Sequence, residues 1–256
     1  MPASILLTSS PPVPLLTSLV LHEVVPTAQW SADLSLLSLT LGYTDFCLLE
    51  KVPVVLADAL LRVAATLAPP LTGAIRHWGR DLSTLARRQL YPWRRRLAFV
   101  SPEHALLPRL TLAENLSLPQ LLLSKRRALG GGPLPPHLVA RLGLSPYLSS
   151  YPRDLPPRQY QLALWARELV KEPRLILGVL AGREAPHGAP ALAPVLLPIL
   201  EEYHRQRRGA ILLAGPWLEV AYPLADRLIQ AQGPAWQEYA LPRRHGHPLP
   251  SYLRVI

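Results

Sequence analysis

The chain is short of cysteine, of charge and of long apolar runs, and each shortage excludes something. One of its 256 residues is cysteine, Cys47. No disulfide can form within the chain, and a cysteine-based metal site has no basis. Cys47 lies in an apolar run and reads as a small buried hydrophobe rather than a reactive thiol. Charged residues make up 17%, against ~25% in ordinary soluble domains. No Lys or Arg precedes Lys51, although that stretch carries Glu23, Asp33, Asp45 and Glu50. No apolar run reaches the ~18 residues of a membrane span. The opening MPASILLTSSPPVPLLTSLVL is apolar, lacks a basic segment and is broken by Pro11, Pro12 and Pro14. That argues against a signal peptide and makes a cytoplasmic protein the expectation.

What is present is enough apolar material, 49% of residues, for one large domain or a domain with a subdomain. The 30 prolines must sit mostly in turns and at element ends. The net charge of +10 lies entirely downstream of residue 50, in clusters at Arg94-Arg95-Arg96, Lys125-Arg126-Arg127, Arg205 to Arg208 and Arg243-Arg244. Such clusters permit polyanion binding but read first as solvated helix faces. The tryptophans do not form a stacking platform in the sequence and no RNA-binding motif is present, so no nucleic-acid partner is expected. The histidines are scattered; only His245 and His247 are close-set, and no metal site is expected from them.

Residues 1–12 read as a loose tail. Strand patterns cover Leu15 to Val25, Leu34 to Leu41, Phe46 to Leu56, a short stretch through Ile75, Leu97 to Val100, Arg174 to Leu180, Ala210 to Ala214 and Arg227 to Ala231. Helix patterns cover Asp58 to Leu67, a polar stretch from Ser83 to Arg95, much of Pro102 to Val170, Ala191 to Arg207 and Leu218 to Ala225. The segment SKRRALGGGPLPP reads as a loop, because consecutive glycines do not hold a helix. Strands alternating with helices give an α/β fold with a largely parallel sheet.

Four blocks then resemble one family, in order and near its spacing. LLRVAATLAPPLTGAIRHWGRDLS is similar to the helix after the Walker A loop and the strand pair that follows in ABC transporter ATPases. LAFVSPEHALLPRLTLAENLSLP is similar to the segment around their Q-loop. YPRDLPPRQYQLALWARELVKEPRLIL resembles the signature helix and the approach to Walker B, and GAILLAGPWLEVAYPLADRLI the H-loop region. Together they span roughly residues 34 to 230 and are nearest to the lipoprotein-release, cell-division and lipid-transport subfamilies. The resemblance implies a P-loop-NTPase-like core at 13–102 and 171–234. It also implies a helical subdomain at 103–170 and leaves 235–256 unassigned.

In the register set by this resemblance, the departures fall on the chemistry. Phosphoryl transfer needs a glycine-rich backbone cradle, a lysine on the phosphates and a hydroxyl on Mg²⁺. The Walker A loop runs from Lys51 to Ala59, with Leu56 at the last glycine, Ala57 at the lysine and Asp58 at the Mg²⁺-binding serine. The Walker B carboxylates fall on Val179 and Leu180, the Q-loop glutamine on Pro102, the H-loop histidine on Pro216 and the D-loop aspartate on about Pro186. The signature reads Leu155-Pro156-Pro157-Arg158-Gln159. The resemblance therefore implies a pseudo-ATPase with no cofactor, bound peripherally to the inner face of a membrane. Its expected partners are a transmembrane permease and either an intact ABC ATPase or a second copy of itself. Leu106, Leu107, Pro108, Arg109 and Leu110 are the expected partner-binding residues, with Leu112 and Leu118 adding apolar surface and Glu114 beside them. The alternatives are an active ATPase with an atypical nucleotide site, and a regulatory or nucleic-acid-binding protein on an ABC-derived fold.

Overall fold

The computed structural model describes residues 17–29, 34–123, 135–180, 189–206, 209–216, 218–233 and 235–241. Expectations at residues 1–12, the glycine loop after Leu123, Pro186, Trp217, His245 and His247 lie outside the described residues.

Among the described residues, ten strands form two sheets. β1 (Thr17–Val25) pairs antiparallel with β2 (Leu37–Gly42) and β4 (Thr72–His77), and β5 (Arg80–Asp81) completes a four-stranded sheet in the order β2-β1-β4-β5. The second sheet has six strands. They are β3 (Phe46–Glu50), β6 (Leu97–Val100), β7 (Leu175–Val179), β8 (Ala210–Gly215), β9 (Arg227–Gln232) and β10 (Ala235–Ala240), in the order β10-β9-β3-β8-β7-β6. All its pairings are parallel except that of β10 with β9.

A parallel sheet is covered on both faces, which is why β3, β6, β7 and β8 read as unbroken apolar runs. Alternate residues enter two cores. Cys47 and Leu49 join Leu97, Phe99, Leu177 and Leu212 beneath helix α1 (Val54–Ala64) and the four-stranded sheet. Phe46 and Leu48 join Ala98, Val100, Ile176 and Leu213 on the other face. There they pack with α3 (Leu112–Leu123), α4 (Pro136–Arg141), α5 (Pro157–Leu169) and α6 (Ala189–Arg205). Gly178 in β7 admits the ring of Trp165 from α5; a Cβ there would collide with it.

Two expectations are corrected, and part of the unassigned C-terminal segment is placed. The strand expected from Phe46 to Leu56 ends at Glu50. Lys51 turns the chain with φ 61°, and Pro53 opens the helix, which starts four residues earlier than the apolar pattern suggested. A buried strand and a buried helix share the same unbroken apolar pattern, so periodicity did not separate them. The polar helix expected from Ser83 to Arg95 is instead a 3₁₀ turn at Arg87–Leu90 followed by the single-turn helix α2 (Tyr91–Arg94). Pro92 lacks the N–H that a continuous helix would use there. Finally, residues 235–240 are part of the six-stranded sheet as β10.

A sequence-remote aromatic stack also forms. Trp78, just after β4, lies against Trp93 of α2 at 5.9 Å and 19°, with Arg96 over both rings.

Candidate nucleotide site and docking face

Register brings the motif positions to one edge of the large sheet. Glu50 pairs with Gly215, Ala214 with Val179, and Gly178 with Val100. The residues that follow these strands, Lys51, Pro216, Leu180 and Ser101-Pro102, thus line the carboxyl edge of β3, β8, β7 and β6. That edge is where α/β proteins place ligands.

Its local chemistry does not match a magnesium nucleotide. Only Lys51, Val52 and Pro53 separate β3 from α1. No glycine occurs between Gly42 and Gly73, and Pro53 has no N–H to contribute. A phosphate cradle depends on consecutive backbone N–H groups approached without Cβ bulk. The Val52 and Leu56 side chains are buried, and the Ala57 methyl sits in the core where a lysine would have to reach the phosphates. Asp58 is buried and ion-paired one turn along with Arg62. Lys51 is exposed. Val179, the last residue of β7, and Leu180 after it are both core residues. Pro102 and Pro216 are half-buried and carry no polar side chain.

One residue at this edge escaped the sequence reading. Glu50, the last residue of β3, is 2% exposed. Its carboxylate accepts hydrogen bonds from the backbone N–H of Leu218 at 2.8 Å, from Gln230 Nε2 at 2.6 Å and from the Tyr222 hydroxyl. Burial, with Glu50 beside it, pushes the Tyr222 phenol above its usual range, so it remains a donor. An internal anion is thereby fixed at the carboxyl edge of the sheet. The only sequence signal was a carboxylate ending an apolar strand.

The signature positions are structural. Leu155 is buried and Pro156 precedes α5, which Pro157 opens. Arg158 donates from Nε to the Ala191 carbonyl at 3.1 Å, tying α5 to α6, and Gln159 is half-buried on the same first turn.

The expected partner-binding residues divide. Leu106 is 2% exposed and Leu112 is fully buried, so both belong to the core, which corrects their assignment to a docking surface. Leu107 is 48% exposed, Pro108 and Arg109 are exposed, and Leu110 is half-buried. Asn115 holds this stretch in place. Its Oδ1 accepts from Leu107 N–H at 2.7 Å, and its Nδ2 donates to the carbonyls of Leu107, Leu110 and Thr111 at 3.0–3.1 Å. Thr111 and Glu114 close a capping box at the start of α3. An open groove of about 510 Å³ beside Leu107 is floored by Tyr91, Leu118 and Pro119 and rimmed by Arg94, Arg95, Arg167 and Lys171.

Other expectations are placed as follows. Cys47 is fully buried, and burial pushes its thiol up to about 12. No cluster of three potential metal ligands occurs among the described residues. No helix among them is long and apolar enough to cross a membrane.

No family model matches the chain. Among curated proteins it is 30% identical over 193 residues to the methionine import ATP-binding protein MetN of Brucella abortus, covering 73% of this chain and 51% of that protein. It is 33% identical over 121 residues to the lipoprotein-releasing system ATP-binding protein LolD of Geobacter metallireducens, covering 47% and 53%. The chain thus spans about half the length of these relatives. Among solved structures, a dimeric bacterial ABC transporter cassette superposes with a TM-score of 0.74 at 20% identity, over 88% of this chain and 99% of that one. The cbiO1 subunit of Clostridium perfringens gives 0.67 at 14%, over 86% and 89%. The carboxyl-edge arrangement, the sheet order and these likenesses agree: the fold is the ABC ATPase cassette, and over part of their length the chain is similar in sequence to ATP-binding proteins of ABC type.

Proposed function

We propose that this chain is a non-hydrolysing ABC-type subunit that serves as a dock, binding a membrane permease, with an intact ABC ATPase or a second copy of itself, in a transport complex. The observation that carries the first half is the glycine-free, three-residue turn between β3 and α1, with Ala57 buried at the lysine position. Positioning and charge neutralisation of the phosphates supply nearly all the catalysis in phosphoryl transfer. The residues at these positions, Ala57, Asp58, Val179 and Leu180, provide neither a cation for the phosphates nor a carboxylate pair on β7. A buried Glu50 at the same edge adds repulsion toward an incoming phosphate.

The docking half rests on the exposed Leu107-Pro108-Arg109 lip, held by Asn115 beside an apolar-floored groove. Helix-in-groove recognition uses such a surface. The roles that MetN and LolD are named for, methionine import and lipoprotein release, support a place in a transport system.

The test is turnover together with nucleotide binding. The purified chain should release no phosphate from ATP above background, and millimolar Mg-ATP should leave its melting temperature unchanged. A ligand at ~100 times its Kd would add about 2.7 kcal/mol, raising the melting temperature by roughly 5–10 °C for a chain of this size. Turnover that follows the chain through successive columns and survives Lys51→Ala would overturn the proposal.

A further inference from the structure

The groove has a lip that the docking role does not use. From Ser83 to Pro102 the chain carries no acidic residue, while Arg87, Arg88, Arg94, Arg95 and Arg96 fall within ten positions. Like charges so dense usually leave a segment loose, yet this one is built onto the protein. Leu90 is buried. Trp93 stacks on Trp78, Arg96 covers both rings, and Arg94 is held by the hydroxyl and carbonyl of Thr66. Arg87 and Arg88 are exposed, Arg96 is exposed across the tryptophan rings, and none of the three has a carboxylate partner among the described residues. Tyr91 is 50% exposed, with Arg95 over its ring, and it shares the groove wall with Leu107. Arg167 extends the cationic rim, while Lys171 is half-buried and ion-paired with Glu168, the one acid lining that groove. A fixed cationic surface with a half-exposed tyrosine at its centre is the composition that settles at a membrane–water interface.

We propose that the arginine-rich turn 87–96 seats the protein on the anionic lipid headgroups of a bilayer, next to the groove that takes the permease. The orientation rests on the docking role above: if the groove faces a membrane-embedded partner, the lip beside it faces the headgroups of the same leaflet. The arginines supply the attraction, and the Trp78–Trp93 stack holds their backbone so that little ordering is needed on contact.

The experiment is sedimentation of the purified chain with vesicles. The probes are phosphatidylcholine vesicles with and without 30 mol% phosphatidylglycerol, in 0.1 M salt. No permease is present, so failure of lipid binding and failure of permease docking are read separately. Binding is expected only to the anionic vesicles and should weaken as salt rises. Each basic residue near such a surface is a factor of about five in partitioning. The triple variant Arg87→Gln, Arg88→Gln, Arg96→Gln should therefore lose on the order of 100-fold, and its Arg→Lys counterpart should keep binding. A control variant with the same net charge, Arg141→Gln, Arg153→Gln, Arg205→Gln, should bind like the parent. Equal binding to uncharged vesicles, or an equal loss in the control, would overturn the proposal, since either result reduces the effect to apolar adhesion or overall charge. So would tight, patch-dependent binding to single-stranded RNA without vesicle binding. If the Gln triple variant has a lowered melting temperature, the Lys triple variant and the salt series decide: lost binding in the folded Lys variant also overturns it.

Discussion

Replacing Glu50 tests the internal-anion account of the carboxyl edge directly. Its carboxylate takes three hydrogen bonds, and one of the donors, the Leu218 N–H, belongs to a fully buried residue. In Glu50→Ala the Tyr222 hydroxyl and Gln230 amide are partly exposed and can turn to water. The Leu218 N–H cannot. Leaving a buried donor unmatched costs about 1–3 kcal/mol, and the loss of two further bonds to an ionised acceptor brings the sum to about 3 kcal/mol. For a chain of this length that lowers the melting temperature by roughly 6–12 °C. Glu50→Gln keeps an acceptor for Leu218 but turns an amide donor toward Tyr222 and Gln230, so an intermediate loss is expected. The assay is thermal and urea unfolding followed by circular dichroism. A Glu50→Ala protein within about 0.5 kcal/mol of the parent, below the usual worth of one buried bond, would refute the account. A fall in stability accompanied by new Mg-ATP binding would support it and would show that Glu50 itself excludes the nucleotide.

Leu107→Asp should abolish co-purification with the membrane partner, a loss of ~2 kcal/mol or about thirtyfold in affinity at an interface hot spot, while leaving the melting temperature unchanged. Leu106→Asp places a charge in the core and should fail to fold, so the two adjacent positions separate docking from packing in one expression trial. Asn115→Ala should leave the α3 helix formed but loosen residues 107–111, read as faster amide exchange there and weaker co-purification. His77 is buried, donating from Nε2 to the Ala64 carbonyl at 2.7 Å when neutral, and burial lowers it to about 4. A folded-state value below the unfolded 6.5 means that the unfolded chain binds the extra proton. This contribution to stability is therefore complete above pH 6.5 and is lost as pH falls toward 4, by up to about 3 kcal/mol. His77→Gln should flatten that part of the stability–pH curve. Cys47, fully buried, should react with a thiol reagent at pH 8 only at the rate of unfolding.

Much of the architecture was legible because it is local and periodic. Runs such as Leu97 to Val100 and Ala210 to Gly215 are short and unbroken in their apolar character, which fits strands covered on both faces, and Ala191 onward carries a helical stripe. The motif blocks gave family likeness, and the residues at Ala57, Val179 and Leu180 could be read without coordinates. What remained hidden depends on partners distant in the chain. The extent of β3 against α1 was decided by a positive φ at Lys51, which no apolar pattern encodes. The division between Leu106 and Leu107 came from the direction in which a loop faces its helix. Glu50 drew its meaning from Leu218, Tyr222 and Gln230, and the Trp78–Trp93 stack joined residues fifteen positions apart. The sequence by itself therefore determined which residue types stand at Ala57, Val179 and Leu180, because the identity of a side chain is the same in any conformation. Only the tertiary structure decided what surrounds them, because burial, charge compensation and exposure are properties of residues brought together from far along the chain.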